Sequence, residues 1–81
     1  MSLDEALKAL EDAKANLRFR ELLAICTRFF GEPRIRGSHH IFKTPWPGDP
    51  RINVQVDSGK AQPYQVQQVI RALKKLKEQG R

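Results

Sequence analysis

The sequence contains little that would suit the cell exterior or a membrane. A single cysteine, Cys26, stands among 81 residues, and one cysteine cannot build a disulfide framework. No apolar run approaches the ~20 residues of a membrane span, and the acidic start of the chain does not resemble a signal peptide. We therefore expect a small cytoplasmic protein with no membrane partner, in which Cys26 packs in the interior instead of reacting as a thiol.

Acidic residues are scarce over most of the chain. Lys and Arg number 15 against 9 Asp and Glu, for a net charge of +6 and a pI of about 10.0. Asp4, Glu5, Glu11 and Asp12 all lie in the first dozen residues, so the remainder is more basic than the average. Clustered cations attract polyanions, which favours a nucleic-acid partner; a solvated surface with a basic tilt is the alternative.

A pattern of metal ligands is lacking too. The only two histidines, His39 and His40, are adjacent, so on a strand they would point to opposite faces and could not chelate one ion together. No other group of candidate ligands stands out. We expect no metal and no cofactor.

Two helices are predicted before any strand. Ser2 and Glu5 form a capping-box pattern, and Leu3, Leu7 and Leu10 recur at helical spacing. A second apolar stripe, from Phe19 to Phe30, would point to nearly the opposite side of a continuous helix, so we expect a break near residues 16–20. Residues 1–16 are therefore predicted to be a helical appendage, and residues 17–81 to be the main domain.

Three short strands and a last helix complete the predicted fold. Strands are expected at 34–36, 39–43 and 51–56, separated by a tight Gly37-Ser38 turn and a proline-rich loop at 44–50. A turn at 57–60 leads to a helix that starts at Pro63. The fold class is α+β: a three-stranded antiparallel sheet with two helices on one face, plus an extra N-terminal helix.

Strand alternation predicts which residues share a face. With Ile52, Val54 and Val56 towards the helices, and with Ile35 and Ile41 also inward, the open face would collect seven mostly basic or polar residues. These are Arg34, Arg36, His40, Phe42, Arg51, Asn53 and Gln55. Phe42 could then stack on a nucleic-acid base. The alternative is the opposite parity, with Phe42 in the core and Ile41 outside.

The chemistry available to this face is proton transfer. Histidine has a reference pKa of ~6.5, so it can take and give a proton near neutral pH. Cleavage of RNA needs a base for the 2′-hydroxyl, an acid for the leaving oxygen and cations for the phosphorane, and one His with Arg or Lys neighbours is a sufficient minimum. The alternative is that the paired histidines are structural or merely exposed.

From about Arg18 onward the chain resembles the HicA toxin family, the mRNA-cleaving partners in HicA–HicB toxin–antitoxin systems. The resemblance is carried by the apolar helix Phe19 to Phe30, the element Gly37-Ser38-His39-His40, the Gly59-Lys60 turn and the helix from Pro63. It covers roughly four-fifths of the chain. It does not extend to the first helix, and the proline-rich loop with Trp46 departs from it.

The resemblance implies a fold like that of double-stranded-RNA-binding domains, a ribonuclease that cuts mRNA, and a HicB-type antitoxin that covers the site. It implies that His40 is catalytic. The residues we expect to contact RNA are Arg34, Arg36, Gly37, Ser38, Phe42, Lys43, Arg51 and Lys60. His39 is expected to point the other way, near the sheet edge, as a packed or hydrogen-bonded neighbour.

Two other functions remain open from the sequence. A module of the same fold could bind RNA without cutting it. The Leu3, Leu7 and Leu10 stripe could bind a protein partner, although packing against the chain's own second helix would also use it. We expect a monomer or a weak homodimer.

Overall fold

A computed structural model describes residues 1–13, 16–46, 51–55 and 59–79. The elements in chain order are α1 (Leu3–Ala13), α2 (Phe19–Phe30), β1 (Arg34–Arg36), β2 (His39–Phe42), β3 (Ile52–Gln55) and α3 (Pro63–Gln79). This order confirms the predicted α+β architecture. Val56, Pro47 to Pro50 and the start of the predicted turn at 57–60 lie outside the described residues.

The predicted helix boundaries have visible local causes. The Ser2 Oγ accepts from the Glu5 N–H at 3.1 Å while the Glu5 carboxylate accepts from the Ser2 N–H at 2.7 Å, so the capping box is formed. The hydrogen bond from the Ser2 N–H to the Glu5 carboxylate is the main reason why the pKa of Glu5 is below its usual value. At the end of α2, Gly31 adopts φ of 86° and donates its N–H to the Thr27 carbonyl.

The sheet is an antiparallel meander with strand order β1-β2-β3. Across the first hairpin, Arg36 lies opposite His39 and Ile35 opposite His40. Across the second, His40 lies opposite Val54 and Phe42 opposite Ile52. Directly opposed residues of an antiparallel pair share a face. His40 and Phe42 therefore lie on the same side as the buried Ile52 and Val54.

The predicted facing of β2 is wrong. Phe42 is 0% exposed and His40 is half-buried, both on the side covered by helices, whereas His39 and Ile41 lie on the open side. β2 is also the central strand, so His39 does not lie near a sheet edge. The facing predicted for β3 is confirmed at Ile52 and Val54.

The cover is incomplete at one edge of the sheet. α2 packs against β2 and α3 packs against β3, while β1 contacts only its neighbour β2 among the described elements. Ile35 points to the helix side but remains 61% exposed because no helix reaches it. The inward direction predicted for Ile35 is thus confirmed, but its side chain is not buried.

α1 is part of the core and not an appendage. Ala6, Leu7 and Leu10 are buried, and the helix packs on α3 and, to a lesser extent, on α2. Salt bridges join Lys77 to Asp4 at 2.7 Å and Lys74 to Glu11 at 3.6 Å. Because its apolar stripe is used inside the molecule, α1 does not offer Leu7 or Leu10 to a partner.

The remaining core is close to expectation. The buried residues of α3 include Val66, Val69, Ile70 and Leu73, on the predicted stripe. Cys26 is buried in α2, and desolvation raises the pKa of its thiol to about 12. None of the described helices is both long enough and apolar enough to cross a membrane.

Candidate functional site

The two histidines sit in different surroundings on opposite faces of β2. His39 is exposed on the open face, opposite Arg36 on one side and Gln55 on the other. Its Nδ1 lies 3.2 Å from Oδ1 of Asn53. It is therefore a hydrogen-bonded residue of a solvated sheet surface.

The open face itself is basic, as predicted. Arg34 and Arg36 are exposed on β1, and Asn53 and Gln55 are exposed on β3, with Arg51 exposed just before that strand. Gln55 donates to Ser38 Oγ at 3.2 Å, which ties β3 to the Gly37-Ser38 turn. The imidazole on this face is that of His39, however, and the apolar residue is Ile41 instead of Phe42.

His40 is held against the start of α2. Its ring meets the Phe19 ring edge-on, with centroids 5.4 Å apart and planes at 66°. Its Nδ1 is buried and has no hydrogen-bond partner among the described residues. Since buried polar atoms are usually paired, an unpaired ring nitrogen in a half-buried histidine calls for an explanation. With Nδ1 out of reach of solvent, a ligand cannot reach this nitrogen of the ring.

Phe19 links His40 to the Gly59-Lys60 segment. The Phe19 N–H donates to the Gly59 carbonyl at 3.0 Å, and the Ala61 N–H donates to the Leu17 carbonyl at 3.0 Å. Between these bonds, Arg18 and Lys60 face each other in an antiparallel bridge. Backbone hydrogen bonds thus join the segment just before α2 to the segment just before α3, next to Phe19, whose ring contacts His40.

Exposed cations surround this junction. Arg18, Arg20 and Lys60 are all exposed; Arg18 and Arg20 flank Phe19 along the chain, and Lys60 is paired with Arg18 in the bridge. The first turn of α2 adds the partial positive charge of a helix N-terminus. An imidazole next to several cations can move a proton while the cations stabilise an anion.

The predicted site residues divide into three groups. His40 contacts Phe19, whose backbone N–H is bonded to Gly59, the residue before Lys60. Arg34, Arg36, Gly37 and Ser38 lie on β1 and its turn, while Lys43 and Arg51 line a cavity beside Trp46 at the other end of the strands. Phe42 belongs to none of them, because a fully buried ring cannot stack on a base; its predicted role is wrong.

Sequence reasoning missed Phe19 as the neighbour of His40, and with it the exposed Arg18 and Arg20 on either side of Phe19 in the chain. Only the docking of α2 on β2 reveals them, and no local pattern carries that information. The facing of His40 did have a signal: a two-residue Gly37-Ser38 turn makes Arg36 and His39 direct partners, so an outward Arg36 implies an outward His39.

Within the described ranges, no three His, Cys, Asp or Glu residues come together in a way that could hold a metal ion. No protein-family model, curated protein or solved structure matches the chain. The resemblance to the HicA family therefore stays a prediction from the sequence motifs.

Proposed function

We propose that this protein is the toxin of a HicA–HicB-type toxin–antitoxin system, an endoribonuclease that cleaves mRNA without a metal ion. The proposal rests on the HicA-like motifs and on one structural observation. The Gly-Ser-x-His element and the Gly59-Lys60 turn, far apart in sequence, meet at Phe19. Phe19, whose ring contacts the half-buried imidazole, thus lies in a chain segment that carries the exposed Arg18 and Arg20 and is paired with Lys60.

His40 moves protons in the proposed reaction. The 2′-oxygen of RNA attacks the adjacent phosphorus as its proton leaves, the bond from phosphorus to the 5′-oxygen breaks, and the 5′-oxygen gains a proton. Nε2 of His40 transfers a proton at one or both of these positions. The products are a 2′,3′-cyclic phosphate and a free 5′-hydroxyl. This step consumes no water, because the 2′-oxygen is the nucleophile, and the proposed mechanism uses no metal ion.

The cations beside His40 stabilise the negative charge of the phosphorane. The candidates are Lys60 and Arg18, which the bridge joins, and Arg20, which lies one residue beyond Phe19. Positioned cations around developing phosphoryl charge are a main source of rate enhancement in such chemistry. The arginines of the open face, Arg34 and Arg36, hold flanking phosphates of the strand.

A HicB-type antitoxin is the proposed protein partner. It would cover the cationic surface around His40 and so block access of RNA. A small acidic HicB-like reading frame next to this one in the genome would support the pairing.

The test is cleavage of a single-stranded mRNA in EDTA by the wild-type chain, His40→Ala and the matched variant His39→Ala. We expect wild type to cut the RNA, His40→Ala to be slower by at least about 10²-fold, and His39→Ala to stay within a few-fold of wild type. His40→Gln checks that the loss does not arise from a cavity next to Phe19. Intact RNA with wild type, or undiminished cleavage by His40→Ala, would overturn the proposal.

The second candidate is an RNA-binding module that does not cut. It is favoured by the open face, where Arg34 and Arg36 on β1 and the polar Asn53 and Gln55 on β3 are exposed on the two sides of β2, with Arg51 exposed just before β3. In the same experiment it predicts that wild type retains RNA with a steep salt dependence and yields no product, and that His40→Ala changes nothing chemical.

A further inference from the structure

A cationic cavity lies between the start of β3 and one face of α3. Its volume is about 230 Å³, and its walls include Trp46, Arg51, Arg71 and Lys75. A neighbouring cavity of about 200 Å³ shares Trp46 and Arg51 and adds Lys43. Neither involves His40, Phe19 or Lys60, so this place is separate from the proposed cleavage site.

The charge of the cavity is one-sided. Four cationic side chains, Lys43, Arg51, Arg71 and Lys75, line the two neighbouring cavities, and no carboxylate lines them among the described residues. Arg71 and Lys75 lie four positions apart on α3, a spacing at which like charges repel. Such an arrangement attracts an anion, which would relieve the repulsion.

Ring contacts and hydrogen bonds hold the walls of the cavity in place. The Trp46 ring is buried, with Lys75 Nζ 4.7 Å from its centroid and the Phe30 ring edge-on at 6.3 Å. Gln68 Oε1 accepts from the Asn53 N–H at 3.0 Å, and Gln68 Nε2 donates to the Asn53 carbonyl at 3.4 Å. These bonds hold α3 on the outer edge of β3, so Arg71 and Lys75 project from an anchored helix face.

We infer that this cavity binds the phosphate of a nucleotide, either free or within single-stranded RNA. Two guanidinium forks, Arg51 and Arg71, match the several oxygens of a phosphate, which can accept from both. The volume is below the ~300 Å³ of pockets that enclose drug-sized ligands, so a phosphate and part of its sugar fit while the base stays at the mouth.

A nucleic acid is favoured over an acidic peptide by the position of Arg51. This residue borders both the cavity and the basic open face of the sheet, so successive phosphates of one strand can occupy both. The inference rests on the proposed function only in taking RNA as the natural ligand. Phosphate binding here does not require cleavage, so the two can fail separately.

Trp46 gives a direct measurement because it is the only tryptophan of the chain. Its fluorescence is titrated with uridine, uridine monophosphate, a single-stranded oligodeoxyuridine that lacks the 2′-hydroxyl, and a glutamate peptide. Uridine has the same absorbance as its phosphate and so controls for inner filtering. The variants are Arg71→Gln, Arg71→Lys and the charge-matched control Lys8→Gln on α1, all exposed positions.

We expect a saturable change with the monophosphate and the oligonucleotide and none with uridine. Arg71→Gln should weaken binding about tenfold or more, Arg71→Lys by less, and Lys8→Gln by less than twofold. A response to the oligonucleotide alone would assign the site to nucleic-acid chains, and a response to both would include free nucleotides. No saturable response to phosphate, equal loss in Arg71→Gln and Lys8→Gln, or binding of the glutamate peptide alone would each overturn the inference.

Discussion

The two faces of the sheet give adjacent histidines different surroundings. On the open face, His39 is exposed to solvent and hydrogen-bonded to Asn53, and the arginines of this face are exposed as well. On the covered face, the His40 ring contacts the Phe19 ring, and its Nδ1 is buried from solvent. A fully solvated imidazole in water is an ordinary base, whereas one held in a partly dry site has a fixed direction for proton transfer. Burial, not sequence position, is what separates a candidate catalyst from its neighbour.

The covering layer predicts that the two faces tolerate substitutions differently. α2 and α3 bury the inward side chains of β2 and β3, and α1 packs behind them. The open face has no such layer among the described residues. Substitutions on the covered face should therefore act through stability, and those on the open face through binding.

Cys26 provides the largest expected contrast, since it lies in the layer that covers the sheet. Burial raises the pKa of its thiol to about 12 from 9.0, so at pH 8 the reactive thiolate is about 10³-fold rarer than in the unfolded chain. We expect alkylation of the folded protein at pH 8 to be slower by at least about this factor than in strong denaturant. Rates of iodoacetamide labelling by mass spectrometry measure it, and similar rates in both states would show that the layer is open.

The linked stability has a defined sign. Because the folded thiol keeps its proton at higher pH than the unfolded thiol, Cys26 stabilises the fold below pH ~9, and this contribution is lost as pH rises towards 12. Cys26→Ala would remove that part of the alkaline destabilisation.

Phe42 and Ile41 allow the faces to be compared within one strand. Phe42→Ala leaves a cavity under α2 and α3 and should lower the free energy of unfolding by about 3–5 kcal/mol. Ile41→Ala, on the open face, should cost about 1 kcal/mol or less. Urea denaturation followed by circular dichroism measures both. A larger cost for Ile41→Ala than for Phe42→Ala would mean that the facing of β2 is the reverse of the one described, and equal costs would contradict the difference in burial between the two side chains.

Arg36 should show the smallest effect. Arg36→Gln removes one cation from the open face and leaves the core unchanged. The free energy of unfolding should therefore stay within ~0.5 kcal/mol of the wild-type value. If the open face holds RNA, the slope of log affinity against log salt should become shallower by about 0.7. Lys8→Gln is the control. An unchanged slope in Arg36→Gln would remove the open face from the RNA-binding surface.

Most of the fold followed from local patterns. The capping box at Ser2, the glycine at 31 and the proline at 63 set helix ends because each acts within one turn of backbone. Ile52 and Val54 identified the inward face of β3 because polar residues alternate with them. β2 offered no such alternation, since Ile41 and Phe42 are both apolar and adjacent, and the wrong parity was preferred.

The sequence by itself determined the order of helices and strands, the basic character of the surface and the position of the Gly-Ser-x-His element. These depend on side-chain periodicity and on turn residues, which act over a few positions. Only the tertiary structure decided that His40 faces Phe19, that α1 belongs to the core, and that Lys43, Arg51, Arg71 and Lys75 surround Trp46. Each of these depends on which helix docks on which strand, and that is settled by packing between residues distant in the chain.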